Sequence, residues 1–185
     1  MHNINLIFPH QLFEDSPLLK YEGAFVLVEE HLFFKKVNFH KQKIAFHRAS
    51  MKFYEEYLSS LGKKVRYVES GEEVSDIREL IKVLKSEGIT TINAIDPTDN
   101  YLNRRLKDKC EAVGIKLHMN DSPLFLNKKD ENDDFFKPTK KKFYQTKFYT
   151  EERKKRNILI SGDGLPEGGK WTYDVDNRKK YPTKK

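Results

Sequence analysis

The 185-residue sequence contains one cysteine, Cys110. That excludes an internal disulfide framework, a zinc site built on several thiolates and a cysteine-held iron–sulfur cluster within this chain. No apolar run approaches the roughly 20 residues needed to span a bilayer. The opening "MHNINLIFPHQLF" has no basic segment leading into a long apolar stretch, so no secretion signal is expected and the cytoplasm is the default location. Neither G-x-G-x-x-G nor G-x-x-x-x-G-K-[ST] occurs, which argues against a dinucleotide or triphosphate cradle. The G-x-S-x-G elbow and H-E-x-x-H are absent too. No two of the six histidines stand three or four apart, and His40 and His47 are about 10 Å apart along a helix. They cannot share one metal ion.

Charge is plentiful but uneven. Residues 137–185 hold 15 Lys/Arg against 6 Asp/Glu, whereas residues 1–136 hold 20 against 22. A near-neutral body therefore carries a strongly basic end, of the kind that meets nucleic acid or an acidic partner surface. Lys141, Lys142, Arg153, Lys154 and Arg156 are the candidate contacts. The alternative is a solvated, charged helix. Hydrophobic residues make up 37% and aromatics 12%, a composition that can close a core.

Five short apolar runs read as strands: residues 3–8, 23–30, 63–70, 90–96 and 115–120. Between them, residues 41–61, 74–88 and 98–114 carry apolar stripes at helical spacing, and each meets a terminal glycine. The 9–22 link is too short for a full helix and predicts one turn at "PLLKYE". Alternating strands and helices predict an α/β fold: a Rossmann-like, doubly wound five-stranded parallel sheet with helices on both faces. Residues 1–120 form this domain. Residues 121–185 read as an acidic loop, a basic helix over 139–160 and an extended tail.

Open α/β sheets bind ligands at the carboxyl ends of their strands, where strand order reverses. The residues just past the strands are Phe8, Pro9, His10 and Gln11, then Glu29, Glu30, His31, Phe33 and Phe34, then Asp96, Pro97, Thr98 and Asp99. Aromatics with imidazole, amide and carboxylate groups suit a flat ring with polar edges better than phosphate. Each also has a plain structural reading: Asp99 as the start of the 98–114 helix, Phe33 and Phe34 as core. A small α/β enzyme acting on an acidic metabolite at Asp96 and Asp99 is a third reading, but no acid/base or nucleophile constellation emerges around the pair.

Several stretches in order, "LIFPHQLFED", "VEEHLFF", "FHKQKIAFHRASMKFYEEYL", "DPTDNYLNRRL", "SPLFL" and "PEGGKWTYDVDNRKK", resemble the amino-terminal part of the photolyase-related bacterial proteins, the iron–sulfur branch of the cryptochrome/photolyase family. The resemblance covers essentially the whole sequence. It implies an antenna domain of a blue-light flavoprotein that repairs (6-4) photoproducts in DNA or acts as a photoreceptor. It further implies a ribityl-lumazine antenna, with Phe8, His10, Gln11, Glu29, Glu30, His40, Ile44, Asp96 and Asp99 as its contacts by position. "FPHQLF" departs from the glycine–acid–glutamine loop of some members. FAD, a four-iron cluster and the flipped lesion belong to a helical domain that the resemblance places after this sequence. On that reading this chain alone is catalytically inactive, and "GGKWTYDVDNRKKYPTKK" is a junction anchored by Trp171 and Tyr173. Apolar surface there, such as Trp171 and Phe148, would invite pairing of copies.

Overall fold

A computed structural model describes residues 2–173. Two compact units divide the chain between Lys128 and Lys129. In the first, β1 (Asn3–Ile7), β2 (Ala24–Val28), β3 (Val65–Val68), β4 (Thr91–Ile95) and β5 (Lys116–Asn120) form one sheet in the order β3-β2-β1-β4-β5. Every pairing is parallel. The helices are α1 (His31–Phe34), α2 (Lys41–Ser60), α3 (Ile77–Ser86) and α4 (Asn100–Val113). The expected turn in the β1–β2 link is a 3-10 turn over Pro17–Lys20, capped by Ser16.

Strand side chains alternate between faces, and the core divides accordingly. Ile4, Leu6, Val26, Val28, Ile92 and Ala94 pack on one face against Ile77, Leu80, Ile81 and Leu84 of α3 and Leu102, Leu106 and Cys110 of α4. Ile7, Phe25, Leu27 and Ile95 pack on the other against Met51, Tyr54 and Leu58 of α2 and Leu18 of the 3-10 turn. Each fully buried aliphatic chain contributes about 1.5–3 kcal/mol, so the two apolar layers hold the sheet. Cys110 is one of these core residues, and burial pushes its thiol up to about 12. No helix among the described residues is long and apolar enough to cross a membrane.

The second unit departs from the sequence expectation. The acidic run is not a loop: α5 (Lys129–Phe135) forms there, with Asp130 and Glu131 in its first turn, where acids favour a helix start. The basic helix is shorter than 139–160. It spans Gln145–Arg156 (α6). Lys140, Lys141 and Lys142 lie outside it, where their charge does not meet the positive helix start. Asn157 ends it in a left-handed conformation with its N–H on the Arg153 and Lys154 carbonyls. Phe148 is half-buried rather than bare, with ring centroids 4.8 Å from Phe135 and 5.1 Å from Phe136. The extended tail expected beyond Tyr173 lies outside the described residues.

One glycine fixes the entry to the sheet. Gly23 has φ +111°, and a Cβ there would stand 2.3 Å from the Asn3 carbonyl oxygen. Backbone cannot yield as a flexible side chain can. Gly23→Ala is therefore expected to cost more than about 2 kcal/mol, from strain and overpacking together. Gly71→Ala, which meets nothing within 4 Å at an ordinary φ, should be close to neutral. Urea unfolding of the two variants checks the contrast; equal costs would refute it.

Candidate functional site

The chain builds outward from β1 to β2 and β3, then crosses to β4 and β5 on the other side. Strand order therefore reverses between β1 and β4. Past that point the two strands separate, and the carbonyls at the end of β4 lose their sheet partners. The turn after β1 supplies substitutes. The backbone N–H of Gln11 donates to the Phe8 carbonyl at 3.0 Å, which folds the turn back. The Gln11 side chain, fully buried, then donates its amide to the carbonyls of Ile95 (3.1 Å) and Asp96 (3.3 Å). His10 Nε2 donates to the Pro97 carbonyl at 3.0 Å.

That last bond sets the chemistry of His10. A carbonyl only accepts, so Nε2 carries the proton and Nδ1 presents a lone pair. Nδ1 is buried and has no hydrogen-bond partner. Burial lowers the pKa of the imidazole, against the Pro97 bond and the charge of Asp99, which oppose the shift. His47 of α2 is lowered as well, by burial and then by Lys43 and His10. Both rings are thus biased toward the neutral form. Aromatic rings flank them: Phe33 lies 5.0 Å from His10 with planes tilted 31°, and Phe34 lies 6.1 Å from His47. A neutral acceptor between aromatic rings suits a planar ligand with an N–H edge.

The other residues singled out from the sequence have varied surroundings. Phe8 is buried in the face that packs on α3 and α4. Asp96 accepts from Thr98 N–H at 2.8 Å, and Asp99 caps α4 through Leu102 N–H at 2.8 Å. His40 caps α2, its Nδ1 accepting from Gln42 N–H at 3.2 Å. Ile44 is half-buried against the α2-side core. Glu29 is fully buried and saturated: Arg48 donates twice (2.6 and 2.5 Å), Tyr67 Oη–H once (2.8 Å) and Ser70 N–H once (2.8 Å). Its carboxylate ties β2, β3 and α2 together. Glu30, also fully buried, caps α1 through Leu32 N–H at 2.5 Å and reaches Ile77 N–H, the start of α3, at 3.5 Å. His47 was missing from the candidate contacts, although it lies two turns along α2 from His40.

The basic candidates lie in the second unit. Arg153 is 3% exposed and serves as its hub. Its guanidinium donates to the carbonyls of Ile158 (3.1 Å), Leu159 (2.5 Å), Lys170 (3.2 Å) and Trp171 (2.8 Å). The rings of Trp171 and Tyr173 lie 5.5 Å from it. Trp171 is also covered by Lys154 at 4.6 Å. Arg156 pairs with Glu131 (3.0 Å) and Glu152 (3.2 Å). Lys141 and Lys142 are exposed. Among the described residues, no group of three or more His, Cys, Asp or Glu is placed to hold a metal ion.

Two measurements follow. Burial, against the amides of Leu32 and Ile77, raises Glu30 to about 7, with Asp76 adding to the rise and Arg105 opposing it. Its folded value lies above the ordinary 4.5. The folded state therefore holds the proton more tightly. That contribution is complete below about pH 4.5 and is lost as pH climbs through about 7. Wild type should lose roughly 2–3 kcal/mol from this group between pH 5 and 8, and Glu30→Gln should remove that loss in urea titrations. An unchanged slope would sink the assignment. Glu29 behaves oppositely: burial is overcome by Arg48, Ser70 and Tyr67, which hold it at about 2, so its contribution is complete above about pH 4.5 and is lost as pH falls from there through about 2. In the second unit, Arg153→Lys keeps the charge but cannot span four carbonyls. The emission of Trp171, the sole tryptophan, should shift to the red, with loss of near-ultraviolet circular dichroism. A native spectrum would count against the hub.

Comparison with known proteins is consistent with this arrangement. The chain is 34% identical over 195 aligned positions to uncharacterized protein R852 of Acanthamoeba polyphaga mimivirus, covering 100% of this chain and 97% of that one. It is 26% identical over 166 positions to the (6-4) photolyase of Agrobacterium fabrum, covering 86% of this chain but 32% of that enzyme. The family model described as deoxyribodipyrimidine photo-lyase-related protein matches residues 5–185. A match that takes in both the parallel sheet and the second unit leaves one conclusion: the chain belongs to the deoxyribodipyrimidine photo-lyase-related protein family.

Proposed function

We propose that this chain is the antenna-chromophore-binding domain of a photolyase-related blue-light flavoprotein, and that its ligand is a ribityl-lumazine-type ring seated at the β1–β4 reversal. The observation that carries the reading is the buried, unpartnered Nδ1 of His10 beside Phe33. A lumazine presents one ring N–H between two carbonyls. His10 Nδ1 would accept that proton, and the neutral His47 imidazole would donate its own N–H to a carbonyl. Asp99 would receive a ribityl hydroxyl with the carboxylate oxygen not used in capping. Gln11 contributes by holding the turn, since its amide is spent on Ile95 and Asp96. Glu29 and Glu30 contribute by fixing α2 and α1, the helices that carry His47 and the two phenylalanines.

When bound, such a ring absorbs blue light and passes the excitation to a flavin. In this reading FAD, the four-iron cluster and the DNA lesion are held by a helical domain outside these residues. One buried cysteine cannot supply four thiolates. The second unit is then the surface that meets the helical domain, and the assembly carries out photorepair or photoreception in the cytoplasm. The chain alone performs no photorepair.

The test is titration of the purified chain with 6,7-dimethyl-8-ribityllumazine, followed by ligand fluorescence and melting temperature. Binding should change the emission and raise the melting temperature by a few degrees at saturating ligand. His10→Phe, checked by circular dichroism, should weaken binding at least tenfold, while Lys154→Ala should not. Unchanged fluorescence and melting point would remove the antenna reading.

A further inference from the structure

An open cavity of about 410 Å³ is lined by Arg78, Tyr101, Arg104, Arg105, Asp108 and Lys109. Five of the six stand on α4 at spacings of three, four, seven and eight residues from Tyr101, so they form one stripe. The lining is strongly cationic in a unit whose composition is near neutral. Some cations of the unit stand in ion pairs, as Arg48, Arg66 and Lys82 do; most of the stripe does not. Among the described residues, Arg104 and Lys109 have no ion pair, Arg105 has none either although its charge is felt by Glu30 and Asp76, and Asp108, one turn on from Arg104, does not make one. Arg78 is the exception, already held by Asp76 at 2.6 Å. Arg105 Nη1 is buried without a hydrogen-bond partner, a donor left over at the cavity wall. The Tyr101 ring is 68% exposed beside these cations, with Lys36 Nζ 5.9 Å above it.

Unpaired guanidinium groups are forks that fit phosphate oxygens in pairs. An exposed ring beside them is a surface on which a base can stack. The volume is within the range of sites that enclose small ligands. Three cations and a free ring together match a ligand that is anionic at one end and flat at the other. Asp108 suits a sugar hydroxyl rather than phosphate.

We propose that this cavity binds a nucleotide phosphate: the phosphates on Arg104, Arg105 and Lys109, the base on Tyr101. The ligand is either a free nucleotide or one nucleotide of a single strand. The site is separate from the β1–β4 reversal and does not depend on a ring bound there.

Calorimetric titration of the whole chain with ADP, inorganic pyrophosphate and a single-stranded DNA 12-mer tests it. ADP or the 12-mer should bind, and more tightly than pyrophosphate. Arg104→Glu should weaken that binding at least tenfold. Tyr101→Ala should weaken it about fivefold or more, with no change for pyrophosphate. Both positions are exposed on α4, and circular dichroism should confirm that the variants remain folded. ADP bound with the 12-mer inert identifies a free nucleotide; the reverse identifies a strand. Three results would overturn the proposal: no binding of either, pyrophosphate bound as tightly as ADP and the 12-mer, or binding indifferent to both substitutions. Loss of binding on Lys141→Glu alone would also overturn it, by moving the contact to the second unit.

Discussion

The carbonyls of Ile95, Asp96 and Pro97 run out of sheet partners where β4 parts from β1, and the rest of the site follows from how they are satisfied. Buried carbonyls without donors are costly. The turn after β1 brings Gln11 and His10 back across the gap to supply those donors. Gln11 is consumed entirely by that work. His10 is consumed at one nitrogen, and the bond it makes fixes which nitrogen remains. A structural clasp thereby produces a chemical feature, a buried lone pair of defined position. Phe33 and His47 stand beside it, and on the proposed reading the three form the recognition site.

The acids behind the mouth show a division of labour set by surroundings. Glu29 and Glu30 are adjacent in sequence and both fully buried. Alternation sends them to opposite faces. Glu29 meets Arg48, Tyr67 and an amide and stays ionised, tying β2, β3 and α2. Glu30 meets two helix starts, with the Asp76 charge adding to the rise and Arg105 opposing it. One acid is held low and the other high, although the residue type is the same. Both carboxylates are engaged in hydrogen bonds, Glu29 at Arg48, Tyr67 and Ser70 and Glu30 at the starts of α1 and α3.

Much of the fold was legible from sequence. Short apolar runs marked all five strands, and the stripes on α2, α3 and α4 marked helices whose buried residues lie on those stripes. Asp99 as a helix start was readable from its place before "NYLNRRL". The second unit was less legible. The acidic run looked like a loop because its charges obscure any stripe, yet acids in the first turn favour a helix start. Arg153 looked like a surface cation in a basic run, whereas its guanidinium is buried among carbonyls. Charge density describes composition and is silent on which member of a run faces inward.

What the sequence determined by itself is the architecture: a parallel α/β sheet and its caps. These depend on periodicity and on neighbours a few residues apart. Only the tertiary structure decided which polar groups are spent and which are free. Gln11 finds its carbonyls 84 and 85 residues away, and Arg48 finds Glu29 across 19. Satisfaction of buried polar groups is a matter of distance in space, and distance in space between remote residues exists only once the sheet has closed. The cations along α4 and the lone pair of His10 are left over from that accounting, and they are where the two proposals place a ligand.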